Sequence, residues 1–222
     1  MPLFHGIDLF VDDTARNGPE QMALDEALLE TARRPLLRPY RWTEQTASFG
    51  YSQSLSQVRR DFPAWPCVRR WTGGGIVAHE GDWTFALIIP ADDPLAAVRA
   101  AEVYRLIHGE VIKALDQAGY QARLADPMDR RQGPVCFTAP ALHDVVALSG
   151  RKLCGGAQRR TRRGILHQGS IQKLQLPDEF AAWLPAVMAV ETRPVSPEPA
   201  TIARAHDLVA AKYGTRAWLE RA

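Results

Sequence analysis

The sequence has few cysteines, little net charge and no long apolar run. Its three cysteines, Cys67, Cys136 and Cys154, are odd in number and lack close paired spacing among the 222 residues. That argues against a disulfide scaffold and against a zinc site, and fits a reducing cytoplasm. A net charge of +2 is too small to make nucleic acid the expected partner. No apolar stretch reaches the ~18 residues that a membrane span requires. The start, Met1-Pro2-Leu3-Phe4-His5, lacks the basic-then-apolar order of a signal peptide. Repeats and low-complexity tracts are missing as well. What remains is an ordinary hydrophobic content of 46% with 23% charged residues. That composition suffices for a sizeable core without metal or disulfide. The length fits one large domain over residues 1–222, or two small ones.

The most informative stretch is Val68 to His79, where Arg69-Arg70-Trp71-Thr72 precedes Gly73-Gly74-Gly75 and Val77-Ala78-His79 follows. Glycines let a backbone approach a ligand closely. The two arginines before them suit a carboxylate or phosphate. A strand is expected on each side of this loop, then another from Trp83 to Ile89, stopped by Pro90.

Elsewhere the pattern predicts strands over Leu3–Val11, Tyr40–Trp42, Ala47–Tyr51 and Gln121–Ala125. Asp12-Asp13-Thr14 reads as loop. Helices are expected over Gln21–Arg33, Pro94–Gln117, Pro177–Val190 and Thr201–Tyr213, with a short one opening near Ser52. Asp25 and Glu26 read as a solvated helix face. Glu191–Pro199 reads as a proline-rich connector. A hairpin is predicted from His143 through the Ser149-Gly150 turn to Gln158, with a second turn at Arg162-Arg163-Gly164.

Three stretches carry chemistry. The glycine loop is one. The second is Gly133 to Pro140, where Cys136 lies between two prolines, a candidate nucleophile if positive charge favours its thiolate. The third is Ser149 to Gln158. On a regular strand, Lys152 and Cys154 share one face there. From Arg151 to Arg163 there are six basic residues and no acidic one. Those at the hairpin tip could attract an acidic protein. No His/Asp/Glu spacing suggests a metal site.

Taken together, these motifs resemble the lipoate–protein ligase and octanoyltransferase superfamily, which includes the biotin ligases. Arg69-Arg70-x-Thr72-Gly73-Gly74-Gly75-x-Val77-x-His79 is similar to its first motif. Gly150-Arg151-Lys152-x-x-Gly155-x-Ala157-Gln158 is similar to its lysine motif, and His167-Gln168-Gly169-Ser170-Ile171 to its third. The resemblance implies an α/β (α+β) fold with a mixed, largely antiparallel sheet packed with helices, like biotin ligases and class II synthetases. It implies substrate contacts from Arg69, Arg70, Thr72, Gly73, Gly74, Gly75, Val77, His79, Gly155, Ala157 and His167.

Pro134-x-Cys136-Phe137-x-x-Pro140 resembles the cysteine segment of the ligase-like octanoyltransferases. After Pro140 the chain departs from the family's run, with Ala141-Leu142-His143-Asp144. About fifty residues follow His167, too few for the extra C-terminal domain of typical ligases. The resemblance thus implies a cytoplasmic octanoyltransferase using Cys136 and Lys152 and no cofactor. Its partners would be acyl carrier protein and a lipoyl domain or glycine-cleavage H protein, with neither nucleic acid nor membrane. The alternatives are an ATP- and Mg-dependent lipoate ligase, possibly split, and a non-catalytic carrier-binding paralogue.

Overall fold

The computed structural model describes residues 1–129 and 140–221. In chain order the elements are β1 (Phe4–Leu9), β2 (Asp12–Arg16), α1 (Gly18–Thr31), β3 (Leu36–Trp42), β4 (Thr46–Phe49), α2 (Leu55–Asp61), β5 (Cys67–Arg69), β6 (Ile76–His79), β7 (Trp83–Pro90), α3 (Ala100–Gln117), β8 (Ala122–Leu124), β9 (Val145–Ala147), β10 (Lys152–Thr161), β11 (Gly164–Ile171), α4 (Phe180–Met188), β12 (Ala189–Pro194), α5 (Pro199–Leu208) and α6 (Arg216–Leu219).

The large sheet runs β12-β1-β3-β7-β11-β10-β9-β8, with β2 beside β3. From β3 to β8 every pairing is antiparallel, while β12, β1 and β2 add parallel edges. The expected mixed, largely antiparallel sheet is therefore what forms. A second sheet, β5-β4-β6, carries the strands around the glycine loop.

Helices cover both faces of the large sheet. α3 and α4 pack over Phe85, Leu87 and Ile89, whereas α1 and α5 pack over Ala86, Ile88 and Leu166. That is why β7 reads as an unbroken apolar run: alternate side chains enter two different cores. Asn17 starts α1 with a reciprocal capping box to Glu20.

Four sequence expectations give way to packing. Asp25 and Glu26 are buried, because α1 lies between the sheet and α5 and has little solvated face. Asp12 to Arg16 is a strand, paired with β3, and Asp12 is buried against Arg16 and Arg38. The connector after Met188 begins as edge strand β12, parallel to β1. Its proline, Pro194, sits at the strand end, where a missing N–H is tolerated. The helix expected from Pro94 breaks into a 3-10 turn, Pro94–Ala97, and α3. Val98 and Arg99 are extended between them, and Arg160 donates to the carbonyls of Ala96 and Val98 at that break.

Candidate active site

A slot lies between the glycine loop and the β10–β11 hairpin, with about 540 Å³ of space including the part open to solvent. Met22, Tyr40, Trp42, Ile76, Val77 and Ala157 supply its apolar lining. Arg70, Ser48, His79, Gln168, Ser170 and Lys152 supply its polar groups. A narrow apolar slot with few convergent polar groups suits an acyl chain with one reactive end.

The glycine-loop wall is held by buried side chains. Arg70 donates to the carbonyls of Gly73 (3.0 Å) and Gly75 (2.8 Å) and to Ser48 Oγ (2.8 Å). Ser48 Oγ in turn meets His79 Nε2 at 2.7 Å, and His79 Nδ1 meets Asp82 Oδ2 at 2.8 Å. Asp82 Oδ2 also accepts from Ser170 Oγ and Thr84 Oγ1. Burial acts to raise the Asp82 pKa, but the His79 charge and these donated hydrogen bonds outweigh it, and the net shift is downward. The chain from Asp82 to Arg70 therefore ties the loop to the large sheet. Gly74 needs its φ of +85° and faces the slot without a side chain.

Arg69 does something else. Its guanidinium donates to the carbonyls of Tyr51, Gln53, Trp218, Leu219 and Arg221, which clamps the C-terminal segment to the loop after β4. It is buried and absent from the slot lining. The expectation that both arginines meet an anion fails for Arg69, because five carbonyls already occupy its donors. Thr72 is also turned inward, donating to Gln168 Oε1 at 2.7 Å. Gln168 donates in turn to Asp25 Oδ2, and Asp25 accepts from Arg38. Asp25 is thus part of the slot's support, its pKa raised by burial more than Arg38 and Gln168 lower it.

The opposite wall is β10. A bulge sets Lys152 and Cys154 against the adjacent β9 residues Val146 and Val145. It breaks the simple alternation, so the expectation that Lys152 and Cys154 share a face is corrected. Cys154 enters the core under α3, where burial foremost, and then Asp144, push its thiol well up. It is no nucleophile there. Lys152 instead lines the slot with its ammonium over Gly155, where any Cβ would lie 2.7 Å from Nζ. Asp144 Oδ2 accepts from that ammonium at 2.7 Å, and its carboxylate also accepts from Tyr104 Oη and the Ala141 amide. Tyr104 Oη in turn accepts from the Gly156 amide at 2.9 Å.

Behind Gly156 lie two buried imidazoles. His167 does not reach the slot; it sits against His108 with ring centroids 5.4 Å apart. Gly156 is required there, since a Cβ would come within 2.6 Å of His167 Nε2 and 3.1 Å of His108 Nε2.

Of the expected substrate contacts, Arg70, Gly74, Gly75, Val77, His79, Gly155 and Ala157 line the slot with Lys152, while Arg69, Thr72, Gly73 and His167 do not. Cys136 lies outside the described residues. The pattern missed Asp144, Tyr104 and Ser48. For Asp144 there was a signal, an acidic residue directly before an apolar strand.

The chain resembles known proteins in sequence and in fold. Residues 17–199 match the lipoyl protein ligase A/B catalytic domain family. The chain is 31% identical over 188 residues to the octanoyltransferase LipM of Staphylococcus epidermidis, covering 77% of this chain and 68% of that protein. It is 32% identical over 188 residues to the octanoyltransferase LipM of Staphylococcus aureus, with the same coverage. Among solved structures it is similar to a Thermoplasma acidophilum protein, Ta0514, described as a putative lipoate protein ligase with bound lipoic acid. The TM-score is 0.78 at 19% identity, covering 96% of this chain and 98% of that one.

Proposed function

We propose a reaction from one premise: the chain belongs to the lipoyl protein ligase A/B catalytic domain family. It is an acyltransferase that moves octanoyl groups in lipoate biosynthesis. The observation that carries this is its likeness to octanoyltransferases over most of its length. The slot supports it, with an apolar wall for a short acyl chain and one oriented ammonium, Lys152, beside the strand glycines.

The donor is an octanoyl thioester on acyl carrier protein, and Cys136 is the nucleophile. Its thiolate attacks the thioester carbonyl. The carrier's carbon–sulfur bond breaks, the carrier leaves as a thiolate, and the octanoyl group remains on Cys136. Lys152 supplies positive charge to the developing oxyanion and the thiolates. A lysine amine of a lipoyl domain or of a glycine-cleavage H protein then attacks the acyl-enzyme. An amide forms, the amine gives up a proton, and the Cys136 thiolate is released. Neither step consumes ATP.

Intact-mass measurement after incubation with octanoyl–acyl carrier protein, without ATP, tests the route. A single octanoyl adduct is expected, and it should vanish in Cys136→Ala. An adduct that persists in that variant overturns the role of Cys136. Carrier modification that requires ATP and free acid selects a ligase instead.

A further inference from the structure

Of the cations near the glycine loop, Arg159 stands out by its surroundings. It follows Ala157 on the same face of β10, and the Cβ of Ala157 would lie 3.4 Å from one placed on Gly74. The guanidinium packs over Trp71 (4.9 Å to the ring centroid) and Tyr51 (5.4 Å). Its Nε is sealed from solvent and meets no hydrogen-bond partner among the described residues. A buried donor of this kind calls for an acceptor.

More positive charge gathers there. Lys212 Nζ lies 4.3 Å from the centroid of the same Trp71 ring, and the Arg221 guanidinium 4.2 Å from that of Tyr51. Among the described residues, Glu26 is the carboxylate in direct contact with this group. Lys212 and Tyr213 both donate to its Oε2. Burial lowers the Lys212 pKa, Glu26 opposes the shift, and Arg159 adds to it. Three cations, set against Glu26 and against a Glu30 already paired with Arg204, leave an excess that an incoming anion relieves.

We infer that Arg159, with Lys212 and Arg221 beside it, binds the phosphate ester of the donor's phosphopantetheine arm. The inference rests on the octanoyl-transfer reading and deepens it. Along β10, Arg159 lies seven residues beyond Lys152, about 23 Å at strand rise and about 20 Å once the bulge at Lys152–Cys154 takes up one residue. That matches the separation between the thioester and the phosphate of an extended phosphopantetheine. The planar guanidinium, stacked and prepositioned, presents its edge donors to two phosphate oxygens. The thioester end then falls on the Lys152 side of the slot.

The test compares octanoyl-phosphopantetheine with octanoyl-pantetheine as donors. The wild-type protein should prefer the phosphorylated donor in kcat/KM by roughly tenfold or more. In Arg159→Gln that ratio should fall toward one, and Arg159→Lys should restore part of it. Equal losses with both donors, or an unchanged ratio, overturn the site. Calorimetric binding of phosphopantetheine, pantetheine and ATP to both proteins separates this inference from its premise. Preferential binding of phosphopantetheine that disappears in Arg159→Gln supports the site even where no transfer is seen. An effect of Arg159→Gln on ATP alone assigns the site to a nucleotide and overturns the pantetheine reading.

Discussion

Two glycine-rich segments face each other across the slot, and they are made rigid by opposite means. Gly73–Gly75 is a loop, and side chains hold it: Arg70 grips two of its carbonyls, and Ser48, His79 and Asp82 anchor Arg70. Gly155 and Gly156 sit in a paired strand, and the main-chain ladder holds them. Their missing side chains leave room for others, Lys152 over Gly155 and the imidazoles behind Gly156. In the loop, glycine gives the backbone its path. In the strand, glycine gives a neighbouring amine its position.

The difference predicts opposite responses to one added methyl group. At Gly50, which backs the loop, a Cβ would lie 2.0 Å from the carbonyl oxygen of Gly74 and 2.8 Å from that of Gly73. Backbone must move, so Gly50→Ala should cost about 3 kcal/mol of stability and activity with it. At Gly155 the obstructing atoms are the end of a flexible side chain. Gly155→Ala should change the melting temperature little but lower octanoyl transfer by roughly 10- to 100-fold, because Lys152 is displaced from Asp144. Denaturation midpoints beside single-turnover rates check both. Equal stability losses in the two variants would erase the distinction between the walls.

A second contrast lies within the loop wall. Arg69 and Arg70 are adjacent, but one clamps the C-terminal segment and the other the glycines. Arg69→Met should destabilise by about 2 kcal/mol, through the carbonyls left without donors. It should also raise amide exchange first in Trp218–Arg221. Exchange that rises in Gly73–Gly75 instead would mean the two arginines act as one unit.

These pairs also mark how far the sequence could be read. The glycine triplet, the Lys152 hairpin and the apolar run of β7 announce themselves, because each is a local pattern with a local cause. The division of labour between Arg69 and Arg70 is not local. It depends on Trp218–Arg221, about 150 positions away. Asp144 depends on Tyr104, forty positions earlier on α3. Arg38 drew no notice, because the expected strand began at Tyr40, and its partners Asp12 and Asp25 come from β2 and α1. The role of Cys136 rests on resemblance, since its segment carries no periodicity from which its place could be read.

Acid should separate the two walls by the smallest margin. Burial pushes the His108 pKa down to about 4, partly opposed by Asp144, and burial with its neighbour His108 pushes His167 down as well. Both imidazoles stay neutral in the fold, while the unfolded chain takes up protons near pH 6.5. Their stabilising effect is therefore complete above pH 6.5 and declines as pH falls from there toward 4. At pH 5.5 the loss from His108 is about 1 kcal/mol. The loop wall behaves differently, since Asp82 keeps a lowered pKa and its hydrogen bonds to His79, Thr84 and Ser170. Hydrogen exchange at pH 5.5 should thus speed up in β10 and α3 before it does in β6 and the glycine loop, and His108→Asn should flatten the pH dependence of the melting temperature. Simultaneous loosening of both walls would show that the strand glycines and the loop glycines share one stability after all.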